Sequence, residues 1–349
     1  MTAPVAVVGA GVIGLAIAWR LAGRGCPVTL YDPAPGSGAS TVAAGMLAPV
    51  GEASFGEAAL SRLLVEGARR WPAFAAELAE AAGTGVGYRD CGALLVARTA
   101  DDLAVVRRLC AYQASLGLAS VELRAAELRE REPLLAPRVR GGALLPGDHQ
   151  VDPRRVVAAL LVAVERAGVR VVRREVTDLS TVAEPVRVLS AGWRSGYLAG
   201  LPVRPVKGQL LRLRGTGLRH VIRGYVDGRC VYLVPRLDGE VVVGATTEER
   251  ADTAVTAGAV RELLCAAVDL VPELAEYELV EARAGLRPGT PDNALVLGEL
   301  RPDVFVATGH YRHGVLLAPV TADAVADLVA GHAPPAVVRP FGPERWRDA

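Results

Sequence analysis

Val5-Ala6-Val7-Val8-Gly9-Ala10-Gly11-Val12-Ile13-Gly14-Leu15 is the stretch on which the fold turns. Four small or β-branched apolar residues run into three glycines spaced GxGxxG, and apolar positions continue at helical spacing from Val12 to Ala22. Gly23 and Gly25 end that run, and Val28 to Tyr31 is apolar again. The chain therefore opens as strand, glycine turn, helix, strand. Each glycine has its own physical reason. Gly9 permits the tight turn, Gly11 lets backbone approach a pyrophosphate, and Gly14 packs helix on strand. The helix N-terminus turns its positive end to the phosphates. Asp32 closes the second strand, where a carboxylate bonds a ribose 2′-hydroxyl and repels a 2′-phosphate. The pattern predicts a dinucleotide site that disfavours NADP and, taken alone, leaves NAD and FAD open.

The remainder of the 349 residues bounds the class of protein. With 51% apolar residues the chain can fill the cores of two domains. Thirty-nine basic residues against 38 acidic ones leave a net charge of +1, so no chain-wide field recruits nucleic acid or an anionic membrane. Met1 to Trp19 is uncharged but lacks the basic leader of a signal peptide, and its glycine spacing accounts for it. No other segment is long and apolar enough to span a bilayer. Cys26, Cys91, Cys110, Cys230 and Cys265 are an odd, widely spaced set without CxxC, and His149, His220 and His332 have no partner spacing. Neither a disulfide framework nor a metal site is expected, and a reducing cytoplasm fits best.

Phe55 to Ala82 and Asp101 to Leu116 are rich in Ala and Glu and read as an inserted helical layer. From Asp152 a helix at Val156 to Ala167 and strands at Val169 to Val172 and Val186 to Leu189 resume the opening pattern. Gln209 to Arg214, Cys230 to Pro235 and Glu240 to Thr246 alternate with period two, with Asp238-Gly239 turning the last pair. They predict a second domain on an antiparallel sheet. Val304 to Thr308 is a buried-type strand and Val315 to Val329 a closing helix. Two loops extend the nucleotide site. Gly36 to Gly45 lies where a flavin nucleotide's pyrophosphate and ribityl chain would continue, with Ser40 and Thr41 able to donate to phosphate. Gly309 to Gly314 precedes the last helix, whose N-terminus would stabilise negative charge on a reduced flavin.

Four segments carry a family resemblance: Ala43-Ala44-Gly45-Met46-Leu47-Ala48-Pro49; Pro205-Val206-Lys207-Gly208-Gln209; Ala284-Gly285-Leu286-Arg287-Pro288-Gly289-Thr290 with Asp292; and Gly309-His310-Tyr311-Arg312-His313-Gly314-Val315-Leu316-Leu317-Ala318-Pro319. From Val5 to Val329 the chain resembles the glycine oxidase branch of the D-amino-acid oxidase family, FAD-dependent oxidoreductases that serve thiamine biosynthesis. The resemblance implies an α/β FAD-binding Rossmann-like domain (1–50, 148–202 and 283–349) interleaved with an α+β substrate domain built on an antiparallel sheet (51–147 and 203–282). It implies noncovalent FAD, since the C-terminal loop lacks the cysteine that tethers flavin in sarcosine oxidases. Contacts to FAD would come from Gly9, Gly11, Val12, Ile13 and Gly14, from Asp32 and Pro33 at the ribose, and from Ala39, Ser40, Thr41, Ala44, Gly45 and Met46 at phosphate and ribityl. Val176 would border the adenine, Gly192 would join the contacts, and His310, Tyr311, Arg312, His313, Gly314, Val315 and Leu316 would wrap the isoalloxazine.

Oxidation of an amino acid by flavin moves hydride from Cα to N5, so the protein must hold the carboxylate, favour a neutral amine and exclude water. Arg283, Gly285 and Arg287 share one strand face by period two, and Arg287 lies at the strand's end beside a Pro-Gly turn. The resemblance picks Arg287 as the carboxylate clamp, a role suited to a planar guanidinium making two parallel bonds. It places Tyr232 as the substrate tyrosine and Arg312 on the flavin or substrate side. Cys230 and Thr247, where relatives carry other residues, are expected at the pocket, and Lys207 is expected to be structural. The implied reaction takes glycine, sarcosine or a small D-amino acid and O2 to an imine and hydrogen peroxide. The imine hydrolyses to glyoxylate and ammonia or passes to a thiazole synthase, and a homo-oligomer is expected. Rival readings are a D-amino-acid dehydrogenase, a sarcosine oxidase-like enzyme, a flavin-binding protein without turnover and an NAD dehydrogenase.

Overall fold

A computed structural model describes residues 3–346. Val5–Val8, buried at all four positions, is a central strand, parallel to Val28–Tyr31 on one side and to Val186–Leu189 on the other. A strand buried on both faces needs a continuous apolar run rather than alternation, which is what this one has. The six-stranded sheet reads Val296–Arg301, Val304–Thr308, Val186–Leu189, Val5–Val8, Val28–Tyr31, Arg170–Val172, parallel except for the antiparallel first pair. Helices Val12–Gly23, Pro153–Arg166 and Gly314–Val329 supply Leu15, Ile17, Leu21, Val156, Leu160, Leu317 and Val325 to one core beside it. Tyr31, Val176, Leu179 and Leu189 form a smaller core with Ala6 and Val8.

The eight-stranded sheet reads Glu278–Gly289, Arg204–Arg214, Glu240–Gly244, Arg229–Pro235, Val221–Val226, Ala93–Ala97, Gly141–Leu145, Val121–Arg124. It is antiparallel but for the pairing of Val221–Val226 with Ala93–Ala97. Leu211, Leu213, Ile222, Leu233 and Val243 pack under helix Ala257–Leu270 through Leu263, Ala267 and Leu270. The antiparallel sheet and opening βαβ unit therefore stand as expected.

In several places the fold differs from the sequence reading. Strands Ala93–Ala97, Val121–Arg124, Gly141–Leu145, Val221–Val226 and Val296–Arg301 and helix Ala257–Leu270 were not foreseen. Most are short runs whose pairing is made by distant segments. The 36–45 loop contains a helical turn, Ala39–Val42, between Gly38 and Gly45 at φ values of 83° and 78°. One helix packs in the core of the parallel sheet, and one strand runs through residue 283. Helix Ala58–Ala82 buries Leu60, Leu63, Trp71, Phe74 and Leu78 in the core of the parallel sheet. Strand Glu278–Gly289 pairs with Arg204–Arg214 along its length, on both sides of residue 283. An amphipathic pattern states that a face is buried without stating against what.

Candidate active site

A cleft of about 860 Å³ runs from the glycine turn to the eight-stranded sheet. At Gly9, φ is +103°, and a Cβ would lie 2.5 Å from the Ser190 carbonyl oxygen. At Gly14 a Cβ would meet Gly9 O at 1.8 Å, so this residue sits behind the turn as helix-on-strand packing and not in the lining. The Val12 amide donates to Ser40 Oγ at 3.0 Å, which binds the 36–45 segment to the helix N-terminus. The Asp32 carboxylate accepts from the Ala10 and Ala34 amides, both at 2.8 Å, and so holds the turn while facing the cleft. Gly11, Ile13, Pro33, Ala39, Ala44, Gly45, Met46, Val176 and Gly192 all line it. Thr41 does not. Its hydroxyl donates to Gly38 O at 3.1 Å within its own helical turn, away from the phosphate path expected for it.

The other end is built where the two sheets face each other. Glu278–Gly289 and Arg204–Arg214 set Val206 opposite Arg287 and Gly208 opposite Gly285. The Arg287 guanidinium then lies across Gly208, where a Cβ would come within 2.2 Å of Nη1. It donates to Thr246 O at 3.1 Å and Lys207 O at 3.4 Å, and no ion pair to it exists among the described residues. A guanidinium lining a cleft with only carbonyl partners keeps donors for a carboxylate. Tyr232 sits opposite Gly244, and its ring covers the place a Cβ would occupy there. Burial raises its phenol and Arg287 draws it back; both side chains line the cleft from the same sheet.

The segment from His310 to Leu316 lines the cleft as expected. His310 Nε2 contacts Thr321 Oγ1 at 3.0 Å, and burial, reinforced by His313, pushes its imidazole down to about 3. His313, at the N-terminus of Gly314–Val329, is pushed by burial to about 4, against the pull of Glu52. Both rings are thus neutral near pH 7. Tyr311 adopts φ +47° and anchors its amide on Pro288 O at 3.0 Å. The Arg312 guanidinium lies 5.2 Å from the Tyr311 ring and 3.5 Å from Glu52 Oε2.

Several residues that build the site were not foreseen. Glu52 lines the cleft and pairs with Arg223. Burial alone would raise its carboxyl, but Arg223, then Arg312 and His313, hold it at about 2. Asp148 accepts from the Val50 and Gly51 amides at 2.8 and 2.9 Å, and burial pushes it up to about 7. Arg236 donates to Val151 O at 2.9 Å and to Ala44 O, fixing the segment that carries Gly45 and Met46. A charged residue that interrupts an apolar strand, as Arg223 does, or directly follows one, as Arg236 does, is the one sequence signal for these groups. Cys230 and Thr247 fall outside the main lining. They line a second hollow of about 540 Å³ beside helix Ala257–Leu270. No group of three or more His, Cys, Asp or Glu positioned to hold a metal exists among the described residues, and no helix there is long and apolar enough to cross a membrane.

A glycine turn and helix N-terminus on a parallel sheet, opening onto an antiparallel sheet that carries an arginine and a tyrosine, define a flavin-dependent oxidoreductase. The FAD dependent oxidoreductase family DAO matches residues 4–328, and the chain belongs to it. Among its relatives is a glycine oxidase of Geobacillus kaustophilus, 36% identical over 93% of this chain and 92% of its own length. The bifunctional protein ThiO/ThiG of a Nostoc species is 34% identical over 94% of this chain, which spans 53% of that relative. The crystal structure of glycine oxidase from Geobacillus kaustophilus superposes with a TM-score of 0.91 at 33% identity, covering 98% of each chain.

Proposed function

We propose that the chain oxidises the carbon-nitrogen bond of glycine and other small amines or D-amino acids. O2 accepts the electrons, hydrogen peroxide forms, and the imine from glycine is hydrolysed by water to glyoxylate and ammonia. The observation that carries this reading is Arg287, aimed into the cleft with two carbonyl partners and no acid. The residues present fit FAD. A Cβ at Gly9 or Gly45 would strike backbone at 2.5 and 2.1 Å, so both hold chain close along the nucleotide path. No cysteine lines the cleft, which favours noncovalent attachment.

Bound flavin supplies a two-electron acceptor for the substrate Cα. Arg287 binds the carboxylate through its outward donors, and Tyr232 adds a phenol donor from another strand of the same sheet. Fixing one end of so small a substrate sets the direction of its Cα-H bond, the main service a site of this kind renders. His310 and His313 stay neutral, so the N-terminus of Gly314–Val329 and the Arg312 guanidinium are the positive groups on that wall, and the helix end favours negative charge there. Glu52 is held ionised by Arg223, which spares the pocket an unpaired buried charge.

Anaerobic mixing with glycine, sarcosine, D-alanine and D-proline tests the reading. Bleaching of the yellow absorbance by glycine, followed by oxygen uptake on aeration, is expected. A colourless protein, or a flavin that none of the four bleaches, overturns it. Electron delivery to quinone with sluggish oxygen uptake would point instead to a dehydrogenase. Supply of the imine to thiazole formation in thiamine biosynthesis is part of the same proposal, supported by relatives of which this chain spans about half of a bifunctional protein.

A further inference from the structure

Lys207 is the chain's single lysine and is fully buried, with 0% of its surface exposed. Its ammonium lies 2.7 Å from Asp252 Oδ1 and 3.9 Å from Glu248 Oε2. Both acids belong to segment 245–256, in which no residue is buried. Ala245, Thr253 and Val255 line the flavin cleft, while Ala245, Thr246, Thr247, Glu248 and Thr256 line the second hollow. A wall between two cavities forgoes dispersion contacts on both sides and must be held by polar pins.

Those pins come from two neighbouring positions on strand Arg204–Arg214. Lys207 exchanges backbone hydrogen bonds with Glu248 at 2.9 and 3.0 Å and reaches Asp252 with its side chain. The Gln209 side chain donates to Glu248 Oε1 at 2.7 Å and accepts from the Thr256 amide at 2.8 Å. Arg287 takes its two acceptors from the ends of the same arrangement, Thr246 O and Lys207 O.

We propose that Lys207 is a positioning residue for substrate binding: by pinning segment 245–256 through Asp252, it fixes the Thr246 carbonyl that aims the Arg287 guanidinium into the cleft. This rests on Arg287 acting as the carboxylate clamp. Among the described residues the buried ammonium finds its acids in Asp252 and, farther off, Glu248, both on this segment, so the pairing holds the segment in one place. Loss of the pair loosens the aim of the clamp, which weakens carboxylate binding first and orientation of the Cα-H bond second, so KM should rise by more than kcat falls.

The test uses the flavin-loaded enzyme and Asp252→Asn, since Asp252 is 40% exposed and tolerates an isosteric change. Glycolate, which has the carboxylate but no amine to oxidise, serves as the binding probe. Asp252→Asn is expected to raise the glycine KM and glycolate Kd by about tenfold while kcat falls by a smaller factor. Lys207→Met should do the same. Acetylation by the N-hydroxysuccinimide ester of acetic acid, read by mass spectrometry, should reach Lys207 faster in Asp252→Asn, and glycolate should slow it in the unaltered enzyme. Wild-type KM and Kd in Asp252→Asn overturn the proposal, even if the melting temperature falls. Arg287→Ala separates the two readings. If it loses glycolate while Asp252→Asn does not, only the role of Lys207 fails; if it binds glycolate normally, the clamp fails and this inference with it.

Discussion

Arg287 and Tyr232 approach the cleft from different strands, and their contributions differ in kind. Lysine at position 287 keeps the charge but replaces a planar fork with a point donor. Arg287→Lys is therefore expected to lose about 1.5–3 kcal/mol of carboxylate binding, on the order of 10- to 100-fold in KM for glycine. Steady-state kinetics across glycine concentration check it. His310 sets a pH dependence. Its folded value, about 3, lies below the ordinary 6.5, so the unfolded chain takes up the proton first. The neutral ring's contribution is complete above pH 6.5 and is lost as pH falls from there toward 3. Thermal midpoints of the protein should fall over that window, and the fall should be shallower in His310→Gln.

At the scale of elements, one strand pair carries the binding geometry. Gly208 lies under the Arg287 guanidinium because its neighbour strand places Gly285 opposite and brings the arginine's stem across. Gly208→Ala puts a methyl within 2.2 Å of Nη1 and forces the guanidinium to shift. The expected result is a higher KM for glycine with little change in melting temperature, since Arg287 can move where a packed core cannot. Gly14→Ala is the opposite case. Its methyl meets the Gly9 carbonyl at 1.8 Å, inside a rigid turn. That substitution should cost about 1–3 kcal/mol and weaken flavin retention, measurable by thermal denaturation and by flavin released on gel filtration.

Across the whole molecule, the cleft lies between two sheets whose cores are separate clusters. A flavin spanning it touches both, so loading should stabilise the fold by mass action. At FAD a hundredfold above Kd the gain is about 2.7 kcal/mol, a rise in melting temperature of roughly 4 °C on restoring FAD to stripped protein. A midpoint unmoved by FAD would argue against a site that joins the sheets. Helix Ala58–Ala82 bears on the same joint: Trp71 Nε1 donates to Leu316 O at 2.9 Å, at the start of the helix whose N-terminus closes the cleft.

Local pattern alone determined the opening βαβ unit, the glycine turn with Asp32, the antiparallel hairpin at Asp238-Gly239 and, through the family resemblance, Arg287, Tyr232 and the 310–316 segment. Those features are legible because each depends on residues within one element or one turn. Only the tertiary structure decided that helix Ala58–Ala82 packs with the parallel sheet, that Thr41 bonds its own turn, and that Cys230 and Thr247 face a different hollow. It alone brought Glu52 to Arg223 and Asp252 to Lys207. The physical reason is range: charge pairing and burial arise between residues 45 to 171 positions apart, where no periodicity in the chain records which face meets which.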